Sequence, residues 1–228
     1  MQINFRKALA SDKSGTFNLE VSFAADDEVT ILFGPSGSGK TTTLRAIAGI
    51  IQPDQGHIEV GGKTFFDSQT RVNIPIQDRR VGYVFQDYAL FPHLTGEQNV
   101  AYGIKEKSEA MRRDRARQLL SLFKVEQIGG RYPQNMSGGE QQRFALARAL
   151  ASNPSIVLLD EPLSAVDLET RAGLLDEIAS AQGRFGIPFL YVTHNPIEAR
   201  RLGTHAVVLD KGKVKTIGLP QDIFKQSS

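Results

Sequence analysis

Val29-Thr30-Ile31-Leu32-Phe33-Gly34-Pro35-Ser36-Gly37-Ser38-Gly39-Lys40-Thr41-Thr42 decides the fold. Its first five residues are a short apolar run ending at glycine, the pattern of a buried strand. Gly34 to Thr41 then matches GxxxxGK[ST] in full, and the spacing predicts a helix over Lys40–Ala48, closed by Gly49. A polyanionic triphosphate is stabilised by closely approaching backbone N–H groups, and glycines permit that approach without a Cβ clash. The helix start adds positive potential. Gly34, Pro35, Ser36, Gly37, Ser38, Gly39, Lys40, Thr41 and Thr42 are therefore the candidate phosphate cradle. In it Lys40 reaches the β- and γ-phosphates and the Thr41 hydroxyl ligates Mg²⁺. The plain alternative, a Gly/Ser turn, requires neither the strand before nor the helix after.

Further along, Ile156-Val157-Leu158-Leu159-Asp160-Glu161 is an apolar strand ending in two acids. Carboxyl ends of strands are where α/β sheets present ligands. Asp160 suits Mg²⁺, held largely through its water shell, and Glu161 suits a general base for an attacking water. Alone, the pair reads equally as a solvated acidic turn; the phosphate loop upstream favours the functional reading.

Strand character also appears at Thr16–Phe23, His57–Val60, Thr64–Phe66, Val81–Phe85, Phe189–Thr193 and Ala206–Leu209, with Gly61-Gly62 as a hairpin turn. Helices are expected over Ser108–Phe123 and Ser137–Ala151, the second opened by a Ser137/Glu140 capping box. Strands alternating with helices imply a mostly parallel α/β sheet. Residues 87–153 interrupt that alternation as a helical insert. The 228 residues carry 27 Lys+Arg against 25 Asp+Glu and no cysteine. This balance gives no argument for nucleic acid as a partner, and thiolate metal sites and disulfides are excluded. The N-terminal stretch has no apolar core of a secretion signal, and no run is long enough for a membrane span. Any membrane role is expected to be peripheral.

Met136-Ser137-Gly138-Gly139-Glu140-Gln141-Gln142-Arg143 resembles the signature motif of ABC-transporter ATPases. Gln86 matches that family's Q-loop glutamine, Ser164-Ala165-Val166-Asp167 its D-loop, and His194 its switch histidine. Taken singly, Gln86 reads as a loop residue and His194 as a strand-end histidine; the ordered combination is specific. The resemblance implies a P-loop NTPase fold of the ABC ATPase type: a mixed, largely parallel core (1–86 and 154–228) with an N-terminal antiparallel β subdomain, and an inserted helical subdomain (87–153). Within the family, Val81–Leu94 and Leu163–Asp167 are most similar to molybdate or tungstate importer ATPases; sulfate, sugar and polyamine importer ATPases share most of both. Many such relatives continue into a C-terminal regulatory domain beyond the length covered here.

Three departures from the family pattern stand out. Glu140 replaces the usual glutamine, and Asn195 replaces the usual aspartate after the histidine. Both keep their helix-capping chemistry, since Asn195-Pro196-Ile197-Glu198 supplies an N-cap, a proline at N1 and a glutamate at N3. The adenine-stacking aromatic has no Trp or Tyr upstream of Gly34 to fill it. Phe17 is the candidate, with sheet packing as its other reading.

The resemblance further implies ATP and Mg²⁺ as cofactors and a homodimer formed on ATP binding. In that dimer Ser137, Gly138 and Gly139 of one subunit meet the nucleotide on the other, and Asp167 touches the opposite subunit. Gln86 would join Thr41 and Asp160 at Mg²⁺, and His194 would contact the γ-phosphate. Transmembrane permease subunits would dock on the region after Gln86, where Tyr88, Leu90, Phe91 and Leu94 either offer surface or pack inside. A periplasmic binding protein would take part indirectly, with the chain at the cytoplasmic face of the membrane. Rival readings are a soluble ABC ATPase acting on nucleic acid or ribosomes, a nucleotide-binding regulator without turnover, and a P-loop kinase or GTPase. The first lacks its coiled-coil insert or second cassette, the second would not need Glu161 and His194, and the third would not need Ser137-Gly138-Gly139.

Overall fold

In the computed structural model, residues 1–11, 15–26, 28–105 and 108–225 are described. They form one eleven-stranded sheet flanked by helices. The strands are β1 (Gln2–Ser11), β2 (Gly15–Ala24), β3 (Val29–Phe33), β4 (Gln55–Val60), β5 (Lys63–Asp67), β6 (Val72–Asn73), β7 (Val81–Val84), β8 (Ile156–Asp160), β9 (Phe189–Thr193), β10 (His205–Asp210) and β11 (Lys213–Gly218). The helices are α1 (Lys40–Ala48), α2 (Gly96–Tyr102), α3 (Glu109–Leu122), α4 (Gly138–Ala151), α5 (Leu168–Phe185), α6 (Pro196–Leu202) and α7 (Pro220–Ile223).

The sheet order is β6-β5-β4-β1-β2-β11-β10-β3-β9-β8-β7. Its two halves differ in kind. From β10 to β7 every neighbour is parallel. From β6 to β2 every neighbour is antiparallel, beginning with the β1–β2 ladder that pairs Gln2 with Ala24 and Ser11 with Gly15. The expectation of a mostly parallel sheet therefore describes the half that carries the phosphate loop, and the whole sheet is mixed.

Burial on both faces explains why the parallel strands read as unbroken apolar runs. Val157, Leu159, Phe189 and Tyr191 face one core, with Phe144, Leu150, Leu174 and Ile178 of α4 and α5. Ile156, Leu158, Leu190 and Val192 face the other, with Leu44 and Ile47 of α1 and the β1, β2, β4 and β5 side chains. Between β7 and β8 the described residues hold no strand, only α2, α3, α4 and two short 3₁₀ turns. Phe123 and Phe144, on that stretch, belong to the same buried cluster as the sheet residues.

Sequence reasoning gave no bounds for β1, β6, β11, α2, α5 and α7, and three of these have a plain physical reason. β1 buries Ile3 and Phe5, but its alternation fades at Lys7-Ala8-Leu9-Ala10. β11 exposes most of its length. α2 is only seven residues long, too short for a helical period to stand out, and is held by a Thr95/Gln98 capping box.

Candidate functional site

The phosphate loop lies between β3 and α1, at the carboxyl ends of the parallel strands. Two glycines make its path possible. Gly34 has φ 158°, and a Cβ there would stand 2.3 Å from the Leu209 carbonyl oxygen. Gly39, at φ 105°, would place a Cβ 2.5 Å from Leu19. Gly39 is the N-cap of α1 and, having no side chain, leaves the first N–H groups of that helix without a side-chain acceptor. Lys40 is buried at 5% exposure, and its ammonium donates to the Gly34 oxygen at 2.8 Å and the Pro35 oxygen at 3.0 Å. The Ser38 hydroxyl is buried with no partner.

Neighbouring strands bring the acids to this loop. Asp160 ends β8 and is 5% exposed. Its Oδ1 accepts from the Thr41 hydroxyl at 3.0 Å and its Oδ2 from the Tyr83 hydroxyl at 3.2 Å. Burial holds its carboxyl above the ordinary value, although the two hydroxyls pull the other way. Burial beside the same carboxylate pushes the Tyr83 hydroxyl up, so it stays a proton donor at any working pH. Glu161 follows at φ 45°, a left-handed conformation uncommon for a side chain with a Cβ. One of its oxygens lies 3.7 Å from Lys40 Nζ and the other 3.2 Å from His194 Nδ1. His194 stands at the end of β9 and is largely exposed.

A cleft of about 560 Å³ joins Ser36, Lys40, Thr41, Thr42, Gln86 and Glu161, with Phe17 on its wall. Phe17 is half-buried and also packs against the antiparallel core, so the structure gives it both expected positions. Gln86 is exposed in the turn after β7. The structure thus brings Phe17, the loop, Gln86, Asp160, Glu161 and His194 together. Ser137, Gly138, Gly139 and Asp167 do not line the cleft.

Those four residues have local roles of their own. Ser137 caps α4: its hydroxyl accepts from the Glu140 N–H at 3.3 Å, and the Glu140 carboxylate accepts from the Ser137 N–H at 2.7 Å. Glu140 thus does the capping work expected of it. Asp167 caps α5, and the Thr170 N–H hydrogen-bonded to its carboxylate holds that group below the usual range. Asn195 caps α6 by accepting from the Ile197 N–H at 2.9 Å. Glu198 departs from the capping expectation: its carboxylate is buried under His194's strand, accepting from Thr193 at 2.7 Å and Tyr191 at 3.0 Å.

After Gln86 the chain turns through Tyr88 and Ala89, both at positive φ. Arg148 of α4 holds the turn by donating to both carbonyls, at 2.9 and 2.7 Å. Tyr88 is buried, Leu90 packs on the main core, and the Phe91 ring meets the exposed Tyr102 ring at a tilt of 56°, 4.7 Å between centroids. The apolar surface here is therefore Phe91, Leu94 and Tyr102 rather than Tyr88. Sequence reasoning missed Tyr102, and it missed Tyr83 at Asp160. Tyr83 had one signal, its place on the same strand face as the residue leading into Gln86.

No group of three His, Cys, Asp or Glu suited to a metal occurs among the described residues. A buried carboxylate beside a hydroxyl, an unpartnered loop serine and an uncapped helix start fit a magnesium–triphosphate. No helix of the described residues is long and apolar enough to cross a membrane.

Known proteins resemble this chain along most of its length. The molybdenum import ATP-binding protein ModC of Vibrio parahaemolyticus is 38% identical over 98% of this chain and 59% of its own length. The molybdate/tungstate import ATP-binding protein WtpC of Archaeoglobus fulgidus is 40% identical over 96% of this chain and 89% of its own. Sulfate/thiosulfate and spermidine/putrescine import ATP-binding proteins match at 42% and 44% identity. The chain spans little more than half the length of most of these relatives, 54% for the spermidine/putrescine protein. Among solved structures, the dimeric post-hydrolysis state of the ATP-binding cassette MJ0796, bound to ADP and Pi, superposes with a TM-score of 0.78 at 28% identity, covering 96% of this chain and 97% of that one. The family described as ABC transporter matches residues 18–164. With the phosphate loop, the capped Ser137 helix and the paired acids in that order along the chain, the protein belongs to the ABC transporter family.

Proposed function

We propose that the chain is the ATP-binding and ATP-hydrolysing subunit of a membrane importer, working as a nucleotide-driven dimer, with an oxyanion such as molybdate or tungstate as the solute. The observation that carries it is the convergence of Lys40 and Thr41 with Asp160, Glu161 and His194, held together by contacts of 3.0, 3.7 and 3.2 Å. Lys40 exchanges its carbonyl partners for phosphate oxygens. Thr41, Asp160 and Gln86 would hold Mg²⁺, which supplies charge neutralisation at the phosphates when bound. Glu161 takes the proton of the attacking water, and His194 steadies that carboxylate and contacts the γ-phosphate. Phe17 stacks on the adenine.

Ser137–Gly139 lie outside the protomer's own cleft, so a second copy supplies them to complete the cage, with Asp167 at the subunit boundary. Residues 1–86 and 154–228 act as the nucleotide core, and 87–153 as the arm that carries the permease-facing surface around Phe91 and Tyr102. The chain then sits at the cytoplasmic face of the membrane, contacting a periplasmic binding protein only through the permease. Its near-balanced charge favours this over nucleic acid. The oxyanion is supported by the molybdenum and tungstate import relatives.

Two measurements test the reading. Phosphate release with ATP and Mg²⁺ should be present in the wild type and absent in Lys40→Ala; equal rates would remove the site. With its permease in vesicles, turnover should rise with molybdate-loaded binding protein. A rise with sulfate or spermidine alone would move the solute and leave the ATPase reading standing.

A further inference from the structure

We propose that Tyr83 is a positioning residue for the nucleotide-bound cation: its hydroxyl holds the second oxygen of Asp160, so that the carboxylate faces the cleft in one orientation. The proposal rests on the ATPase reading above and concerns this chain's own residues around Mg²⁺.

The argument starts from register. Tyr83 lies on β7 opposite Leu158 of β8, and Asp160 is two residues further along that strand. Side chains two apart on a strand share a face, so Tyr83 and Asp160 point to the same side of the sheet. That side is the one on which α1 packs, where Tyr83 rests against the core cluster containing Leu44 and Ile47. The tyrosine hydroxyl thus meets Asp160 Oδ2 at 3.2 Å while Thr41 of α1 meets Oδ1 at 3.0 Å. The Arg45 guanidinium, one turn further along α1, interacts with both the Tyr83 hydroxyl and the Asp160 carboxylate.

A carboxylate with a single partner turns about its last bond; one held at both oxygens does not. Groups of this kind, one shell behind a ligand, orient it and tune metal affinity. Tyr83 is itself braced, its ring stacked on Phe85 at 4.2 Å between centroids. Phe85 immediately precedes Gln86, another group assigned to the cation. A single edge strand therefore sets both the orientation of Asp160 and the approach of Gln86.

The test removes one oxygen atom. In Tyr83→Phe, binding of the non-hydrolysable analogue AMP-PNP is measured by calorimetry across a Mg²⁺ series and in EDTA. The Mg²⁺ concentration that gives half of the tightening should rise on the order of tenfold, while the affinity in EDTA stays at the wild-type value and the melting temperature shows a folded protein. Tyr83→Leu, which also removes the ring stacking, should shift the Mg²⁺ midpoint at least as far. An unshifted midpoint in folded Tyr83→Phe overturns the proposal, as does a shift in Tyr83→Leu alone, which would assign the effect to the ring. Asp160→Asn separates the two levels. If it binds with wild-type Mg²⁺ dependence, the cation does not sit at Asp160 and the underlying reading fails. If it loses that dependence while Tyr83→Phe keeps it, only the role of Tyr83 falls.

Discussion

Two helices of this chain begin at glycine- and serine-rich turns, and they treat their open N–H groups in opposite ways. α1 starts from Gly39, which offers no side-chain cap, and its first residue, Lys40, is buried with its charge on the loop's own carbonyls. α4 starts from Ser137, whose capping box with Glu140 satisfies the cap and third-position N–H groups. The Arg131 guanidinium lies 3.3 Å from Glu140 on its outer side. The box leaves the N–H groups of Gly138 and Gly139 without a side-chain cap, Gly138 being half-buried and Gly139 buried. α1 is therefore a helix start without a side-chain cap, with the carboxylates of Asp160 and Glu161 close to its first residues. α4 is one that persists without a ligand, at an exposed end outside the cleft. On the proposed reading, a site shared between two copies would require this difference: one half would hold nucleotide alone, and the other would keep its shape without it.

The largest expected effect separates chemistry from this division of labour. Glu161→Gln keeps the shape of the side chain and loses the base, so turnover should fall on the order of 10²–10⁴-fold while ATP still binds. Gel filtration with ATP should then show a dimer where the wild type does not, because the bridging phosphate persists. Adding Ser137→Arg should abolish that dimer and leave nucleotide binding by the protomer intact. If Ser137→Arg instead weakens protomer binding as Lys40→Ala does, the contrast between the two helix starts is broken.

Next in size is Lys40→Ala itself. Removing a charged hydrogen-bonding partner of the phosphates should cost about 1.5–3 kcal/mol of nucleotide affinity, roughly 10–100-fold, read by titration of the protomer. Ser137→Ala should cost about 1 kcal/mol of stability through the lost cap, which lowers the melting temperature by roughly 2–4 °C for a chain of this size. Glu140→Gln should leave it unchanged, since an amide oxygen also accepts from the Ser137 N–H. A fall in Glu140→Gln equal to that of Ser137→Ala would mean that Arg131, not the box, holds this helix end.

The smallest effect concerns the cleft wall. Phe17→Ala should weaken ATP by about 1 kcal/mol if the ring stacks on adenine. A lowered melting temperature with unchanged ATP affinity would leave Phe17 as a packing residue only.

The elements that were readable beforehand are those whose cause is local. Val29–Phe33 and Phe189–Thr193 are strands at the bounds their apolar runs suggested. The α4 box follows from a serine and a glutamate three residues apart. β11 and β1 were hidden because they carry little apolar alternation: β11 is exposed along most of its length, and only Ile3 and Phe5 mark the inner face of β1 before its pattern fades.

By itself the sequence determined the phosphate-loop motif, the paired acids and the helix caps, because each is set by residues within one turn or one strand of each other. Only the tertiary structure decided what meets what. Thr41 and Asp160 are 119 positions apart, and Tyr83 and Asp160 are 77 apart. Their contacts exist because β8 lies between β7 and β9 in the sheet and α1 packs over its face. That strand order is selected by burying apolar side chains on both faces at once, a collective property that no short stretch of sequence carries.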